Sequence, residues 1–485
     1  MSTRSTSASD LSREGRARDV APELIQQVNC RLGRRQFLRG AAGALAAFAA
    51  FPAGFRQLRA GDPPMVSDPR ATSGDTAQAP DWQELLTISV GPRDADIVGT
   101  DQRALQAAVD YVAQLGGGTV QIRPGMYRLR NAVYMRTGVR LIGAGDDSIL
   151  FKEPSKTTTL AADSDWYDQE ITLTDASDFR VGDGICLRTK NPHHGGTDIA
   201  KRTLVARSGA RFKLDRPLRE NFWKASETTC SSLFPLVSGE EVCDFVIENL
   251  ILDGNKQHND LLDGNFAGCI FLQDISRATI RGVTARNYNG DGISFQVAHD
   301  VHVEGCHSHD NTGLGMHPGS GSQRPILRRN RIERNDIGIF FCWGVKFGLA
   351  EDNTIADCRK QGISIGHRDT DNVIRRNRIT GSGEVGLLFR PERGRDFAPH
   401  RTLVVENEIE NSGPPDGIAI DVQGEVDLVT LVRNTLRETR SPAERIAIKL
   451  GPAVGRVELV ANRPSGFAED LVDLRPKSQA EAEAS

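Results

Sequence analysis

The sequence predicts an all-β protein in which parallel strands are stacked as the coils of a solenoid. Glycine accounts for 48 of the 485 residues and only 6% of the residues are aromatic, a composition typical of short strands joined by many turns. Two motifs also recur in step from residue 241 onward, with a period of about 24 residues. A shared period of this length predicts one strand rung per coil, with rungs about 4.8 Å apart.

The first motif is an asparagine followed two residues later by an apolar or near-apolar residue. Stacked inside the solenoid, these asparagines would satisfy backbone groups at one turn of every coil. The preceding residues alternate in charge, as in Arg329, Asp352 and Arg376, which predicts a ladder of opposite charges along the surface. The asparagines of the series are Asn249, Asn330, Asn353, Asn377, Asn407 and Asn434.

The second motif is a glycine followed by apolar residues at alternate positions. Strand alternation directs these apolar residues into the core and the residues between them outward. The motif occurs as GISFQ (292–296), GLGMH (313–317), GIFFC (338–342), GISIG (362–366), GLLFR (386–390) and GIAID (417–421). Coil by coil, we expect one solvent-facing polar column made of Gln296, His317, Cys342, Trp343, His367, Arg390, Asp421 and Lys449.

A helix and the first strands are predicted ahead of the repeats, in GTDQRALQAAVDYVAQLGGGTVQIRPGMYRL (99–129). Apolar residues recur there with helical spacing from Ala104 to Leu115, Asp101 lies in the first turn, and Gly116 follows the last. This stretch resembles the first coils of the pectate-lyase-like superfamily of right-handed parallel β-helices. The resemblance implies a capping helix over the open end of the coil, but it does not define an activity.

These patterns divide the chain into six segments. The repeat rhythm is interrupted by ITLTDASDFRVGDGICL and ARFKLDRPL, which we interpret as strands of an inserted β subdomain. The expected segments are an N-terminal region with an export signal (1–60), a linker (61–84), the cap and first coils (85–158), the inserted subdomain (159–240), the repeats (241–465) and a flexible tail (466–485).

An arginine pair in GRRQFLRG (33–40) precedes the weakly apolar run AAGALAAFAAFPAG (41–54). This arrangement resembles a twin-arginine export signal, because the run is too short to span a bilayer. We therefore expect a periplasmic or extracellular monomer without a stable membrane anchor. The 60 basic and 64 acidic residues nearly balance, so we expect no nucleic-acid partner.

The polar column contains more histidine, arginine and tryptophan than a surface needs for solubility. A groove along the coil axis suits a linear polymer, because one sugar unit is about as long as one rung. We therefore predict a polysaccharide partner, with an anionic one favoured by the arginines. The residues predicted to bind substrate are Gln296, Trp343, Arg368, Asp369, Glu392 and Asp421.

Arginine and histidine together favour a uronan lyase or epimerase. Arg390 would neutralise the uronate carboxylate, His367 would be the base, and His317 would bind substrate or act as the acid. Lys346 is a reserve base. We assign no metal and no cofactor. The sequence lacks a CxxC motif for structural zinc, and His317 and His367 lie two rungs apart, too far to share a metal ion, although calcium bound by loop carboxylates stays open.

Motifs of known relatives in the superfamily match only in part. NYNGDGIS (287–294) lacks the paired aspartates that polygalacturonases present on the next coil, and His317-Pro318 lacks the preceding aspartate of the mannuronan epimerase signature. The carboxylate cluster of calcium-dependent pectate lyases has no clear counterpart. Two alternatives stay open: a glycoside hydrolase using Asp369 and Glu392, and a non-catalytic glycan-binding surface protein.

Overall fold

The computed structural model describes residues 82–191, 194–441 and 444–476. The predicted export signal at 33–54 lies outside these residues, as does nearly all of the linker. The α-helix in the described residues is Gln102–Gln114. No helix in this part of the chain is long and apolar enough to cross a membrane. Short 3-10 helices are Gly145–Asp147, Lys224–Ser226, Lys256–His258 and Arg395–Phe397.

Stacked parallel strands form a β-helix whose coils have three faces. The first and second faces belong to one 22-stranded sheet, because two 14-residue strands, Gly268–Arg281 and Asp291–Glu304, continue from the first face into the second. The other strands of the first face are Val133–Tyr134, Val237–Glu240, Met316–Pro318, Ile339–Phe340, Gln361–Ile365, Val385–Phe389, Ile418–Val422, Ile446–Leu450 and Glu469–Asp473.

The second and third faces complete each coil. The second face contains Leu86–Gly91, Ile97–Val98, Gly118–Ile122, Val139–Ile142, Cys243–Glu248, Ile326–Arg328, Leu349–Glu351, Val373–Arg375, Leu403–Val405, Val429–Val432 and Val457–Val460. The third is an 11-stranded sheet of Gly125–Leu129, Ser148–Lys152, Ile251–Asp253, Thr284–Arg286, His307–His309, Arg331–Glu333, Thr354–Ala356, Arg378–Thr380, Glu408–Glu410, Thr435–Arg437 and Arg463–Ser465.

The capping helix closes the N-terminal end of the core, as the sequence predicts. Asp101 caps it by accepting the backbone N–H groups of Arg103 and Ala104. Leu105 and Val109 on its inner side are fully buried with the apolar residues of the first coils. The helix therefore covers apolar surface that the first coil would otherwise expose.

An antiparallel six-stranded sheet interrupts the coils, in the part of the chain where the repeat rhythm is lost. It has an apolar core of its own that includes Phe179, Phe212 and Phe222. This separate core allows the inserted sheet to pack without disturbing coil register. Its strands are Thr157–Thr159, Glu170–Thr172, Gly184–Lys190, Thr197–Ser208, Arg211–Leu214 and Thr229–Ser231.

A ladder of buried asparagines joins successive coils. The side chain of Asn353 donates to Asn377 Oδ1 at 2.8 Å, and that of Asn377 donates to Asn407 Oδ1 at 3.0 Å. Each amide also donates to a carbonyl of the preceding coil, as Asn377 does to Ala350 O at 2.9 Å. The predicted stacking is confirmed from Asn330 onward, and Asn462 extends it.

Asn249 was wrongly included in this series. Strand register aligns Asn249 with the residue before each ladder asparagine, whereas Leu250 occupies the ladder position. Val283 and Cys306 occupy that position in the next two coils, so the earlier coils use apolar side chains there. The sequence motif alone could not show this shift of one residue, because Asn249 also precedes an apolar residue at the same spacing.

The predicted ladder of charges is present as separate ion pairs. Arg376 Nε lies 2.8 Å from Asp352 Oδ1, and Arg433 Nη2 lies 2.7 Å from Glu406 Oε1. Arg329 instead contacts Glu304. Each exposed pair contributes only about 0.2–1 kcal/mol.

The coils continue beyond residue 465. Strand Glu469–Asp473 pairs in parallel with the strand that contains Lys449. The prediction of a flexible tail from residue 466 is therefore wrong for this strand. The sequence Glu-Asp-Leu-Val-Asp carries too few apolar residues to be recognised as a coil from the repeat motif.

We expect Asn377→Ala to lower the free energy of unfolding by roughly 3 kcal/mol, because it leaves a buried carbonyl and a buried amide without partners. The carbonyl is that of Ala350 and the amide is that of Asn353. Chemical denaturation measures the change. Arg378→Ala, at an exposed side chain next to the ladder, is the matched control and should stay within about 0.5 kcal/mol. Equal effects would contradict the energetic role of the ladder.

Candidate functional site

The outward side of the first face carries two columns of side chains. In strand register, the first column contains Ser238, Phe271, Ser294, His317, Phe340, Ser364, Leu388, Asp421 and Lys449. The second lies two residues further along each coil and includes Gln273, Gln296 and, past the strand ends, Cys342, Gly366 and Arg390. The single column expected from the sequence is therefore wrong: His317 and Asp421 belong to one column, and Gln296 and Arg390 to the other.

Most of these outward side chains are buried, contrary to the expected solvent-facing stripe. His317 is 3% exposed and Asp421 is 2% exposed, whereas Trp343 is 56% exposed. Segment 259–266 lies against the face beside Ser294, whose hydroxyl donates to Gly264 O at 2.6 Å. Segment 391–400 borders the later coils. These connecting segments were not recognisable as covers because they carry no repeat motif.

His317 forms a buried pair with Asp291 of the preceding coil. Nδ1 lies 2.9 Å from Asp291 Oδ2, and both side chains are 3% exposed. The other carboxylate oxygen, Oδ1, accepts the backbone N–H of Leu314 at 2.9 Å. Because a carboxylate only accepts, Nδ1 carries the proton in the neutral ring and Nε2 keeps its lone pair.

The Nε2 atom of His317 is buried and has no hydrogen-bond partner among the described residues. The hydroxyl of Ser294 lies 3.4 Å from Nδ1, on the same ring nitrogen as the aspartate. A serine nucleophile would need to contact the opposite nitrogen, so these residues do not form a Ser-His-Asp triad. The arrangement instead leaves Nε2 as an oriented basic atom.

Arg390 lies on the other side of Phe340 from His317. The His317 and Phe340 ring centroids are 5.5 Å apart, and the guanidinium carbon of Arg390 lies 4.3 Å from the centroid of Phe340. Arg390 donates to Ser364 Oγ at 2.9 Å and to Phe341 O at 2.8 Å. Its contacts with the carboxylates of Asp369 and Glu392 are longer, at 3.5 Å each.

Asp369 is enclosed beneath this cluster. Its Oδ1 accepts the N–H groups of Gly344 and Val345, and its Oδ2 accepts that of Gly366, all at 2.9 Å. Burial raises the pKa of Asp369 to about 7, while Arg390 and the backbone donors limit that rise. With no exposed surface and both oxygens occupied, Asp369 ties coils together, which differs from the predicted substrate contact and removes it as half of a hydrolase pair.

Three rings, those of Trp343, His367 and Phe397, form the exposed edge of the site. The rings of Trp343 and His367 are stacked, with centroids 4.6 Å apart and planes 18° apart. Phe397 meets His367 edge-on at 5.0 Å. Glu392 accepts the backbone N–H of His367 at 2.7 Å, and its other oxygen lies 3.5 Å from His367 Nδ1.

The remaining predicted residues lie further out or play other parts. Arg368 is exposed and lies over the ring of Phe397 at 4.2 Å. Lys346 is exposed at the turn between the first and second faces, where its backbone bridges to Gln323 and its charge acts on Asp371. Gln296 is buried, and its amide oxygen accepts the N–H of Ser320 at 2.7 Å.

Asp421 lies four rungs beyond His317 in the same column. Burial raises its pKa. Gln423 donates to one carboxylate oxygen, whereas Oδ1 has no hydrogen-bond partner in the described part of the chain. Asp421 thus offers a buried acceptor in the first column of this face.

The structure does not support a nucleophile at Cys342 or a metal site at His307 and His309. Burial raises the pKa of the Cys342 thiol to about 12, so it is not a nucleophile at neutral pH. His307 and His309 belong to the third face, where their ring centroids lie 4.1 Å apart with the planes tilted by 30°, beside Glu333 and Asp310. No group of His, Cys, Asp and Glu in the described ranges is arranged to hold a metal ion.

A separate cleft of about 530 Å³ lies between the capping helix, the first coil and the inserted sheet. Its lining includes Gln102, Tyr134, Lys201, Arg216 and Glu240. It contains none of the residues that the sequence predicts for the site. Arg216 is already paired there with Glu240 at 2.9 Å.

Sequence reasoning missed several members of the site. Asp291, in NYNGDGIS (287–294), is not among the predicted site residues, although its separation of 26 residues from His317 is close to one coil. Phe340 and Phe397 gave no polar signal. Asp263 acts electrostatically on Cys342 from segment 259–266, which lies outside the repeat motifs and could not be aligned with them.

Comparison with known families and structures agrees with this architecture. The family described as the right handed beta helix region matches residues 241–394. A solved A-module of a mannuronan C-5 epimerase from Azotobacter vinelandii shares 14% identity with a TM-score of 0.51, covering 79% of this chain and 97% of that one. The chain is a right-handed parallel β-helix. No curated protein matches it.

Two further solved structures are similar at lower scores. Another mannuronan C-5 epimerase A-module from Azotobacter vinelandii shares 15% identity with a TM-score of 0.46, covering 80% of this chain and 100% of that one. A surface adhesin of Streptococcus pneumoniae shares 13% identity with a TM-score of 0.44, covering 79% and 92% respectively. At these identities the likeness concerns the fold.

Asp369 predicts a specific dependence of stability on pH. Its folded pKa of about 7 exceeds the ordinary value of 3.8, so its favourable contribution is complete below about pH 4 and is lost as the pH rises to about 7. Three pKa units correspond to roughly 4 kcal/mol. We expect the free energy of unfolding of the native protein, measured relative to Asp369→Asn, to fall by this order between pH 4 and pH 8. A constant difference across that range would contradict the raised pKa.

Proposed function

We propose that the protein acts on a uronate polysaccharide in the outward groove of the first face, by elimination or C5 epimerisation. The observation that carries the proposal is the Asp291–His317 pair, which orients a histidine whose Nε2 has no hydrogen-bond partner among the described residues. A buried polar atom without a partner is costly, and a catalytic role is one reason for a protein to retain it. We therefore assign the base to His317 instead of His367.

Arg390 supports the uronate part of the proposal. Its short hydrogen bonds go to neutral acceptors, Ser364 Oγ and Phe341 O, while both carboxylates near it are 3.5 Å away. A substrate carboxylate that displaced Glu392 could form shorter, charge-assisted bonds to the guanidinium. Neutralising that carboxylate makes the neighbouring C5–H more acidic.

The chemistry then needs two proton transfers. His317 Nε2 takes the C5 proton, and in elimination the C4–O bond breaks as the C4=C5 double bond forms and the leaving oxygen takes a proton. In epimerisation the C4–O bond stays intact and C5 regains a proton on the opposite face. His367, beside Glu392 at 3.5 Å, is the group that we propose as the second proton donor.

The Trp343–His367 stack offers a flat apolar platform for a sugar ring. Since His317 Nε2 is buried, the sugar must displace a neighbouring side chain to reach it. Phe340 and Cys342 belong to the coil after His317, as Trp343 does, and both are half-buried. We expect these two side chains to move.

We test the reaction with polymannuronate and polygalacturonate in deuterated buffer. Elimination gives ultraviolet absorbance from unsaturated uronate ends, and epimerisation gives deuterium at C5 without new ends. We expect His317→Gln to lower either signal at least 100-fold, the usual contribution of a positioned base. Reducing ends without absorbance would indicate hydrolysis, and binding with no reaction would indicate a glycan-binding protein; either result would overturn the proposal.

The control is His307→Gln on the third face, which removes a half-buried histidine far from the groove residues in the coil. It should leave the reaction rate within about twofold. Thermal unfolding of both variants separates loss of the base from loss of the fold. Equal losses in the two variants at equal stability would count against His317 as the base.

We also propose that the protein reaches its substrate by twin-arginine export, on the strength of GRRQFLRG at 33–40 and the apolar run after it. A fusion of residues 1–60 to a reporter that is active only after export tests this. Replacing Arg34 and Arg35 by lysines should abolish the reporter signal, whereas replacing the neighbouring Arg39 should not. Equal export with and without the arginine pair would contradict the pathway.

A further inference from the structure

We propose that the groove is closed on the N-terminal side of His317, so that the protein binds and acts at one end of its polysaccharide chain. This inference rests on the proposed function and deepens it, since it names the part of the polymer that is recognised. A polymer that crosses a parallel β-helix groove needs open space on both sides of the reacting residue. Here the two sides differ.

The first barrier is segment 259–266, which leads into strand Gly268–Arg281 and lies against Ser294 in the coil before His317. Gly264 O accepts the hydroxyl of Ser294, the residue next to His317 in the first column. Any side-chain carbon at Gly264 would overlap the Asp291 carboxylate. The backbone of this segment therefore occupies the space in which a sugar would continue along the face.

This segment is anchored from several directions. Leu262 is fully buried and its N–H donates to Asn289 O at 2.9 Å. The buried amine of Lys152 donates to Asn259 Oδ1 at 2.6 Å. Thr157, at the start of the inserted sheet, donates to Asp260 at 2.8 Å. Contacts of this kind indicate a fixed wall, because displacing the segment would expose an apolar side chain and leave buried polar groups unpaired.

The inserted sheet forms a second barrier one coil earlier. The amine of Lys201 lies 3.8 Å from the ring centroid of Phe271, the first-column residue below Ser294. The same amine is 3.8 Å from Glu240 Oε1 on the edge of the separate cleft. Lys201 of the inserted sheet thus covers the first column at Phe271, on the side to which a longer polymer would extend.

The C-terminal side of His317 is less completely covered. Ser364 and Asp421 are buried there, but the side chains between and beyond them in the first column are partly exposed. On the N-terminal side, by contrast, Ser238, Phe271 and Ser294 are all buried. Trp343 is exposed, and Leu388 and Lys449 are half-buried along the following coils.

Asp421 Oδ1 is buried and has no hydrogen-bond partner in the described residues, so we infer that it accepts a sugar hydroxyl four rungs from His317 once a covering side chain, such as that of Gln423, moves aside. Four rungs span about 19 Å, so this side holds about four sugar units.

The experiment uses six-residue oligouronates prepared from polymannuronate and from polygalacturonate. Each is studied unlabelled, with a bulky fluorophore on the reducing end, and with the same fluorophore on the non-reducing end. Equilibrium binding to the full chain is measured for all forms. A closed groove accepts a bulky group at one end only, so we expect one labelled isomer to bind within threefold of the unlabelled oligomer and the other at least tenfold more weakly.

Equal binding of both labelled isomers would overturn the closed groove while leaving the proposed function intact. Failure of the unlabelled oligomers of both polymers to bind would overturn the proposed function as well. A variant in which residues 260–265 are replaced by two glycines should accept both labelled isomers. If that variant does not fold, the comparison of the two labels on the native protein decides by itself.

Asp421→Leu provides an independent measurement at the open side. It should weaken binding of the six-residue oligomer about tenfold and leave binding of a two-residue oligomer unchanged, because a dimer does not span four rungs. Loss of affinity for both lengths, or for neither, would contradict Asp421 as the distal contact.

Discussion

The registration of one coil on the next is the constraint on which every other feature depends. Backbone bonds between parallel strands fix the rung spacing, and the ladder from Asn330 to Asn462 fixes which residues meet at one turn. Each ladder amide satisfies a carbonyl in the coil before it and accepts an amide at the same turn. Because these polar groups are buried, a slip of one residue would leave several of them unpaired.

Coil registration also assembles the site. Asp291, His317, Phe340 and Arg390 are far apart in sequence, yet each lies one rung or two from the next. No loop has to fold precisely to bring them together, because the strands place them. The side chains that would be unusual on a plain solvated surface, such as His317 and Arg390, are the ones that contact residues of neighbouring coils. This explains how a buried histidine and a guanidinium come to flank the same aromatic ring.

Much of the fold follows from the sequence because its signals are periodic. The helix at Gln102–Gln114, the coils and the asparagine stacking come from spacing that can be counted along the chain. Register within the site was harder, since a strand motif does not state which of two outward positions a side chain takes. For this reason Gln296 and His317 were assigned to one column, although they lie in two.

Burial was the second limit of sequence reasoning. Whether an outward residue meets water depends on segments outside the repeats, such as 259–266, and those have no period to align. Asp369 shows the consequence: its sequence neighbours suggest a ligand contact, but its carboxylate bonds three backbone amides instead. Partners such as Asp291 are recovered only when coils are superimposed.

The 24-residue separation between Asn353 and Asn377 gives the groove a unit of measure. Removing or adding one whole coil between such equivalent residues would rejoin matching positions on all three faces, whereas a change of length inside a strand would shift the register. Turns absorb extra residues, because Asn377 and Asn407 are 30 residues apart and still make the ladder contact. Each coil so gained or lost would alter the groove by about one rung, or 4.8 Å. The number of coils thus determines the length of polymer that the face can hold, in steps of one rung.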